Sequence, residues 1–290
     1  MFKKLLFFSV LGLVALSCTL VKEDRISCNF TVPVNVRLTG FSFVQEDFPY
    51  TKVTETPANY SAVNAVTLAF YQGDTEIYKS TQLKSEAPAF GTFSLSLPIG
   101  SYTMVAIAHT TKDESPFVLT SPTVAAYTGE HAYETFTYTQ TVNITDTNEV
   151  DISATLNRII SMLTVSSSDG KASNAKSISM TFSAGAKSFN PTTGLATANT
   201  TFTNTVSISA AVGETSASST AFFLLTDEQE MDVTISVLDA DDNVLYTTTV
   251  EDVPFKRNRK TKLTGKLYSA ESAGSFLLNK DWIDMVEDSF

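Results

Sequence analysis

The chain has 290 residues, 31 acidic against 20 basic side chains and a formal charge of −11. An acidic surface repels phosphate backbones, so nucleic acid is not an expected partner. At roughly 100–200 residues per domain the length fits two domains. Phe, Tyr, Val, Ile and Thr recur in alternation without long amphipathic helical patterns, which favours an all-β fold.

Lys3 and Lys4 precede an apolar run from Leu5 to Leu16, and Cys18 stands where the run ends. This order of charged, apolar and small-residue regions is that of a bacterial secretory signal. The run is shorter than the roughly 20 apolar residues a membrane span needs. Ala15-Leu16-Ser17-Cys18 resembles the lipobox of bacterial lipoproteins, with Leu16 one place later than usual. An ordinary secretory peptide with an incidental cysteine is the alternative. The resemblance implies a signal peptide over 1–17, lipidation of Cys18 and a tether over 18–27. Its removal takes away two lysines and no acid, moving the charge from −11 to −13. Each acyl chain contributes about 0.8 kcal/mol per buried CH₂, so several chains hold a protein on a membrane permanently. Lys22-Glu23-Asp24 resembles the signal that sends such lipoproteins to the outer face of the outer membrane; a solvated tether reads the same way. With Cys18 acylated, Cys28 has no intramolecular partner, and a packed core must hold the fold.

Within Cys28–Leu38, Phe30, Val32, Val34, Val36 and Leu38 share one face, the pattern of a half-buried strand. Pro33 cannot donate to a ladder and predicts an edge strand or one with a free side. A polar stretch from Gln45 to Tyr60 reads as a surface loop. Val63–Tyr71 is a strand with Val66, Leu68 and Phe70 inward, and Gly73-Asp74 turns it into Thr75–Ser80. Phe93–Leu97, Ser101–His109 and Thr135–Val142 complete a first sandwich over 28–147.

A second sandwich is expected over 148–268. Val150, Ile152, Ala154 and Leu156 alternate, and so do Ile159, Ser161, Leu163 and Val165. Further strands are expected at Ser177–Phe182, Val206–Ala210, Thr220–Leu225, Met231–Leu238 and Val244–Val250. Asp239–Asn243 is a hairpin turn, lacking the central Gly and closing Glu of a calcium loop. The basic run Pro254–Lys260 reads as a solvated loop that offsets nearby acids, or as a patch for an acidic lipid or partner. Gly170–Thr220, rich in Ser, Thr and Ala, reads as loops or exposed strands.

No catalytic residue stands out, and an enzyme is not expected. His109 and His131 are not spaced as metal ligands, no phosphate loop or nucleophile elbow is present, and no cofactor is implied. Trp282 is a carbohydrate platform or, more simply, a tail aromatic closing an apolar groove.

Several segments together resemble the fimbrillin superfamily, especially its FimB-type fimbrial anchor and minor-subunit lipoproteins. They are Cys18-TLVKEDRIS-Cys28, Pro98-Ile99-Gly100-Ser101-Tyr102, Leu156-Asn157-Arg158, Val253–Asn258 with Thr261 to Leu267, and Asp281-Trp282. The chain departs from the anchor pattern at Ser27 and Asn29, which flank the second cysteine, and lacks a Trp after the Tyr102 strand. The resemblance implies two tandem transthyretin-like (Ig-like Greek-key) β-sandwiches and a non-enzymatic surface lipoprotein of the outer membrane. It would anchor or assemble fimbriae through β-strand addition and so support adhesion to a host surface or to other bacteria. Related polymerising subunits lose their first strand by cleavage after an arginine, pointing here to Arg25 and Arg158. Strand exchange would involve Phe30, Val32, Val34 and Val36, or the 269–290 tail with Phe276, Leu278 and Trp282. A glycan-binding lipoprotein of a nutrient-uptake system is the alternative.

Overall fold

The computed structural model describes residues 30–44, 52–111, 117–129, 131–145, 148–269 and 277–278. Among the described residues the chain is entirely β, with no helix.

The first sandwich begins with β1 (Thr31–Val44) and β2 (Lys52–Glu55), followed by β3 (Ala65–Gln72), β4 (Thr75–Leu83), β5 (Thr92–Pro98) and β6 (Gly100–His109). After β7 (Phe117–Ser121) and β8 (Val124–Tyr127), it closes with β9 (Thr135–Ile144) and β10 (Val150–Arg158). One layer has β1 at its centre, parallel to β10 on one side and antiparallel to β5 and then β2 on the other. The second layer runs β9-β6-β3-β4. The layers join at a corner where β9 and β10 pair only through Phe136–Arg158 and Thr137–Asn157. Val34, Val36, Leu68, Phe70, Met104, Phe136 and Leu156 from both layers meet in one core.

One expectation holds in its second form and one is corrected. β1 is not an edge strand but has the free side that Pro33 predicts, since Pro33 lies one residue before the β10 pairing opens at Val34, leaving only β5 beside it. Val150–Leu156, assigned by alternation to the second sandwich, closes the first, because Ile152, Ala154 and Leu156 bury into its core. Alternation reports that one face is buried, but not against which core.

The second sandwich packs β16-β11-β19-β20 against β15-β12-β17-β18. Its strands are β11 (Ser161–Ser167), β12 (Ser177–Phe182), β15 (Phe202–Ser207), β16 (Ala217–Phe222), β17 (Glu228–Leu238), β18 (Val244–Lys256), β19 (Lys260–Gly265) and β20 (Leu277–Leu278). Phe182, Phe222 and Phe255 form the centre of its core. The basic run is no free loop. It ends β18, turns through Asn258 at a φ of 62° and enters β19. Its charges offset nearby acids, Lys256 pairing with Glu228 and Arg257 with Asp227 at 2.8 Å. The strand expected at Val206–Ala210 sits earlier, as β15.

A third, small sheet joins the halves. The β7–β8 hairpin pairs edge to edge with β13 (Ser188–Asn190), which pairs with β14 (Leu195–Ala196). Beneath it lies a second face of β3 and β6, where Ala69, Tyr71, Val105 and Ile107 pack with Tyr127, Phe189 and Phe223. This explains why nearly every β3 side chain is buried: alternate residues feed two different cores.

Tyr71 is fully buried there, and its hydroxyl finds no hydrogen-bond partner among the described residues. Burial, with a smaller contribution from Glu76, pushes its pKa up from 10.0 to about 12; burial also raises that of Tyr127. Below pH 10 folded and unfolded chains both hold these protons. Above it the unfolded chain loses them first, so stability falls as pH climbs from 10 towards about 12. Urea midpoints measured across pH 9–12 should decline over that window, and less steeply in Tyr71→Phe.

Candidate functional site

β1 is built to be held firmly. Its odd face is polar and its even face apolar through Leu38, so Val32, Val34 and Val36 are fully buried, as is Phe41 beyond the irregularity between Leu38 and Gly40. At about 1.5–3 kcal/mol per buried side chain, these residues alone hold the strand by on the order of 10 kcal/mol. That rivals the whole stability of a typical domain, so β1 does not leave its seat spontaneously. Phe30, just before it, is 53% exposed. Leu38 donates its N–H to the Gly91 carbonyl, and the Thr39 hydroxyl donates to the Ala154 carbonyl at 3.1 Å.

The far end of β1 is fastened by Arg158. Its Nη2 donates to the Val44 carbonyl at 2.6 Å, its Nε to Asn258 Oδ1 at 2.6 Å and its Nη1 to Glu134 Oε1 at 3.0 Å. Glu134 also accepts from the Tyr60 hydroxyl at 2.8 Å, and the guanidinium carbon lies 5.3 Å from the Phe43 ring centre. Phe41, Phe43, Tyr60 and Phe136 pack against one another, and Phe43 and Tyr60 of this cluster touch the ion pair. A planar five-donor fork is suited to serving a carbonyl, an amide oxygen and a carboxylate at once. The Asn258 oxygen comes from the second sandwich, so one side chain ties β1, β10 and the β18–β19 turn together.

Beside this latch a cleft of about 630 Å³ opens between the halves. Tyr138 and Thr139 of β9 form part of one wall, and Thr192–Gly194, from the turn between β13 and β14, part of the other. A second cleft, of about 620 Å³, lies between Tyr133–Glu134 and the β15 and β16 edges.

Residues 51–286 match a family described as a family of unknown function (DUF6562). The chain belongs to that family. No curated protein matches its sequence. In fold, this DUF6562 member is similar to a candidate adhesin from Bacteroides ovatus, at a TM-score of 0.52 and 13% identity over 89% of this chain and 93% of that one. It is similar to a candidate polysaccharide-binding protein from Bacteroides thetaiotaomicron (0.52, 11% identity, 87% and 96% covered). It also resembles the fimbrial anchor protein Mfa2 from Porphyromonas gingivalis (0.50, 13% identity, 81% and 91% covered). At these identities the likeness is one of fold, and it is the fold implied by the resemblance to the fimbrillin superfamily.

Of the residues singled out from sequence, Val32, Val34 and Val36 come together in the first core, while Arg158 stands apart at the junction. Leu278 belongs to β20, whose backbone pairs with Leu263 of β19. Cys18, Arg25, Phe276 and Trp282 lie outside the described residues. Sequence reasoning gave no role to Glu134, Tyr60 or Asn258, which have no local pattern, although Asn258 lies within the basic run that did draw notice.

Proposed function

We propose that this DUF6562 protein is a non-enzymatic cell-surface lipoprotein, a fimbrial anchor or accessory subunit held in the outer membrane through Cys18. It attaches or assembles fimbrial subunits by β-strand complementation and thereby supports adhesion. The observation that carries the reading is the placement of β1. The first strand after the tether occupies the centre of a sandwich layer, in a fold shared with a fimbrial anchor protein. A central strand that joins the tether directly transmits pull from the sandwich to the lipid. Its apolar face also has the form of a segment that another strand could replace only after cleavage had freed β1. Arg25 suits processing better than Arg158, whose guanidinium is engaged three ways and whose neighbour Ile159 donates to the Thr135 carbonyl. An anchor keeps both bonds intact.

Mass spectrometry of the protein taken from cells tests this. The expected N-terminus is Cys18 carrying a diacylglyceryl thioether and an N-acyl chain, with the chain uncut after Arg25 and Arg158. Cys18→Ala should move the protein out of the membrane fraction. Fimbrial subunits should co-purify with the lipidated form; an unlipidated protein without such subunits would overturn the proposal.

A further inference from the structure

The cleft beside the latch has a chemistry unlike the rest of the molecule. In a chain of charge −11, its lining carries Lys52, Arg158 and Arg257 and no carboxylate. The two arginines are already paired, Arg158 with Glu134 and Arg257 with Asp227, neither acid being part of the lining. The uncompensated charge is therefore that of Lys52, which is exposed on β2 and has no ion pair among the described residues. The rest of the wall is rich in hydroxyls and amides, from Thr139 and Thr193 to Asn157. Tyr138, which packs in part against the first core and donates its hydroxyl to Gln140, adds the exposed part of an aromatic ring.

Two further features point to a ligand. Ser42 lines the cleft at 3% exposure, and its hydroxyl has no protein partner among the described residues. Beyond Thr137, β9 and β10 diverge, so among the described residues the β9 edge facing the cleft has no strand beside it from Tyr138 onward. Backbone donors and acceptors are thus available next to the side-chain hydroxyls. A volume of about 630 Å³ lies within the range of roughly 300–1,000 Å³ typical of small-ligand sites.

From these features we infer that the junction cleft binds a carboxylated saccharide, a short glycan segment with one acidic sugar. Its carboxylate is met by Lys52, its hydroxyls by the Thr and Asn side chains, and a ring face rests against Tyr138. One uncompensated cation matches one carboxylate, which favours a uronic-type sugar over a multiply sulfated one. Neutral hydroxyl-bearing walls favour a sugar over an acidic peptide, whose backbone would need a longer free edge. The site stands independently of any role in anchoring fimbriae, because its lining lies in the two sandwiches and the small sheet that joins them, and not in the tether.

Calorimetry on the full mature chain, purified from membranes in detergent, tests the assignment with four probes: aldotriouronic acid (a xylobiose bearing one glucuronic acid), a chondroitin sulfate tetrasaccharide, maltotriose and a polyglutamate peptide. Aldotriouronic acid should bind tightest. A hydrogen bond to a charged group is worth about 1.5–3 kcal/mol, so losing it should weaken binding about tenfold or more. That loss is expected in Lys52→Glu, whose exposed position leaves the melting temperature unchanged, and Lys52→Arg should retain most of the affinity. Equal binding of maltotriose, tighter binding of the sulfated or peptide probe, no binding of aldotriouronic acid, or an unchanged Lys52→Glu would each overturn it. Failure to recover fimbrial subunits would leave this result untouched, so the two proposals fail separately.

Discussion

Arg158→Ala should lower the stability of the protein by about 3–5 kcal/mol, the scale seen when one partner of a buried ion pair is removed. The guanidinium and the Glu134 carboxylate are only 10% and 17% exposed. Without the arginine, Glu134 keeps the Tyr60 hydroxyl as its donor, and the Val44 carbonyl and Asn258 oxygen each lose a charged donor. Arg158→Lys should recover only part of the loss, since an ammonium is a point charge and does not reproduce the fork. Adding Glu134→Gln to Arg158→Ala should cost less than the two changes summed, because the stranded charge is then gone. Urea unfolding gives these differences directly. Hydrogen exchange gives the local consequence: amides at Phe43 and Val44 should exchange faster than those at Val34 and Val36. Uniform protection along β1 in Arg158→Ala would show that the residue does not fasten that end.

Phe223→Ala attacks the joint between the sandwiches instead. Phe223 is fully buried, lies 4.3 Å from the Phe189 ring and 6.4 Å from that of Tyr127, and exchanges backbone hydrogen bonds with Ala186. Truncating a buried phenylalanine costs about 3–5 kcal/mol in lost transfer energy and residual cavity. Because this ring belongs to the core beneath the small sheet, the loss should fall on the coupling between halves. The expected calorimetric trace changes from one transition to two, the sandwiches unfolding at different temperatures. A single transition shifted downward would mean that the halves are coupled elsewhere. Latch and joint use different atoms, so their effects should be nearly additive.

Much of the architecture was legible because alternation is a local property. Val32, Val34 and Val36, or Leu163 and Val165, announce a strand with one wet face whatever lies opposite. The hairpins at Gly73-Asp74 and Asp239–Asn243 were readable for the same reason, since turn chemistry acts within a few residues. Legibility failed where burial depended on distant partners. In β3, Val66, Leu68 and Phe70 announce one core, but Ala69 and Tyr71 face a second one that exists only after the β7–β8 and β13–β14 hairpins meet. Those hairpins are too short to show a period.

The sequence by itself determined an all-β chain, the positions of most long strands and the apolar face of β1, because these follow from side-chain spacing and turn residues. Tertiary structure alone decided that β10 lies parallel to β1 in the first sandwich and that Arg158 meets Val44, Glu134 and Asn258. It also decided that a cation-lined cleft opens at the junction. The physical reason is sequence distance. Spacing constrains what a residue needs, a buried face or a charged partner, while only the closing of the chain selects which of many equivalent groups supplies it.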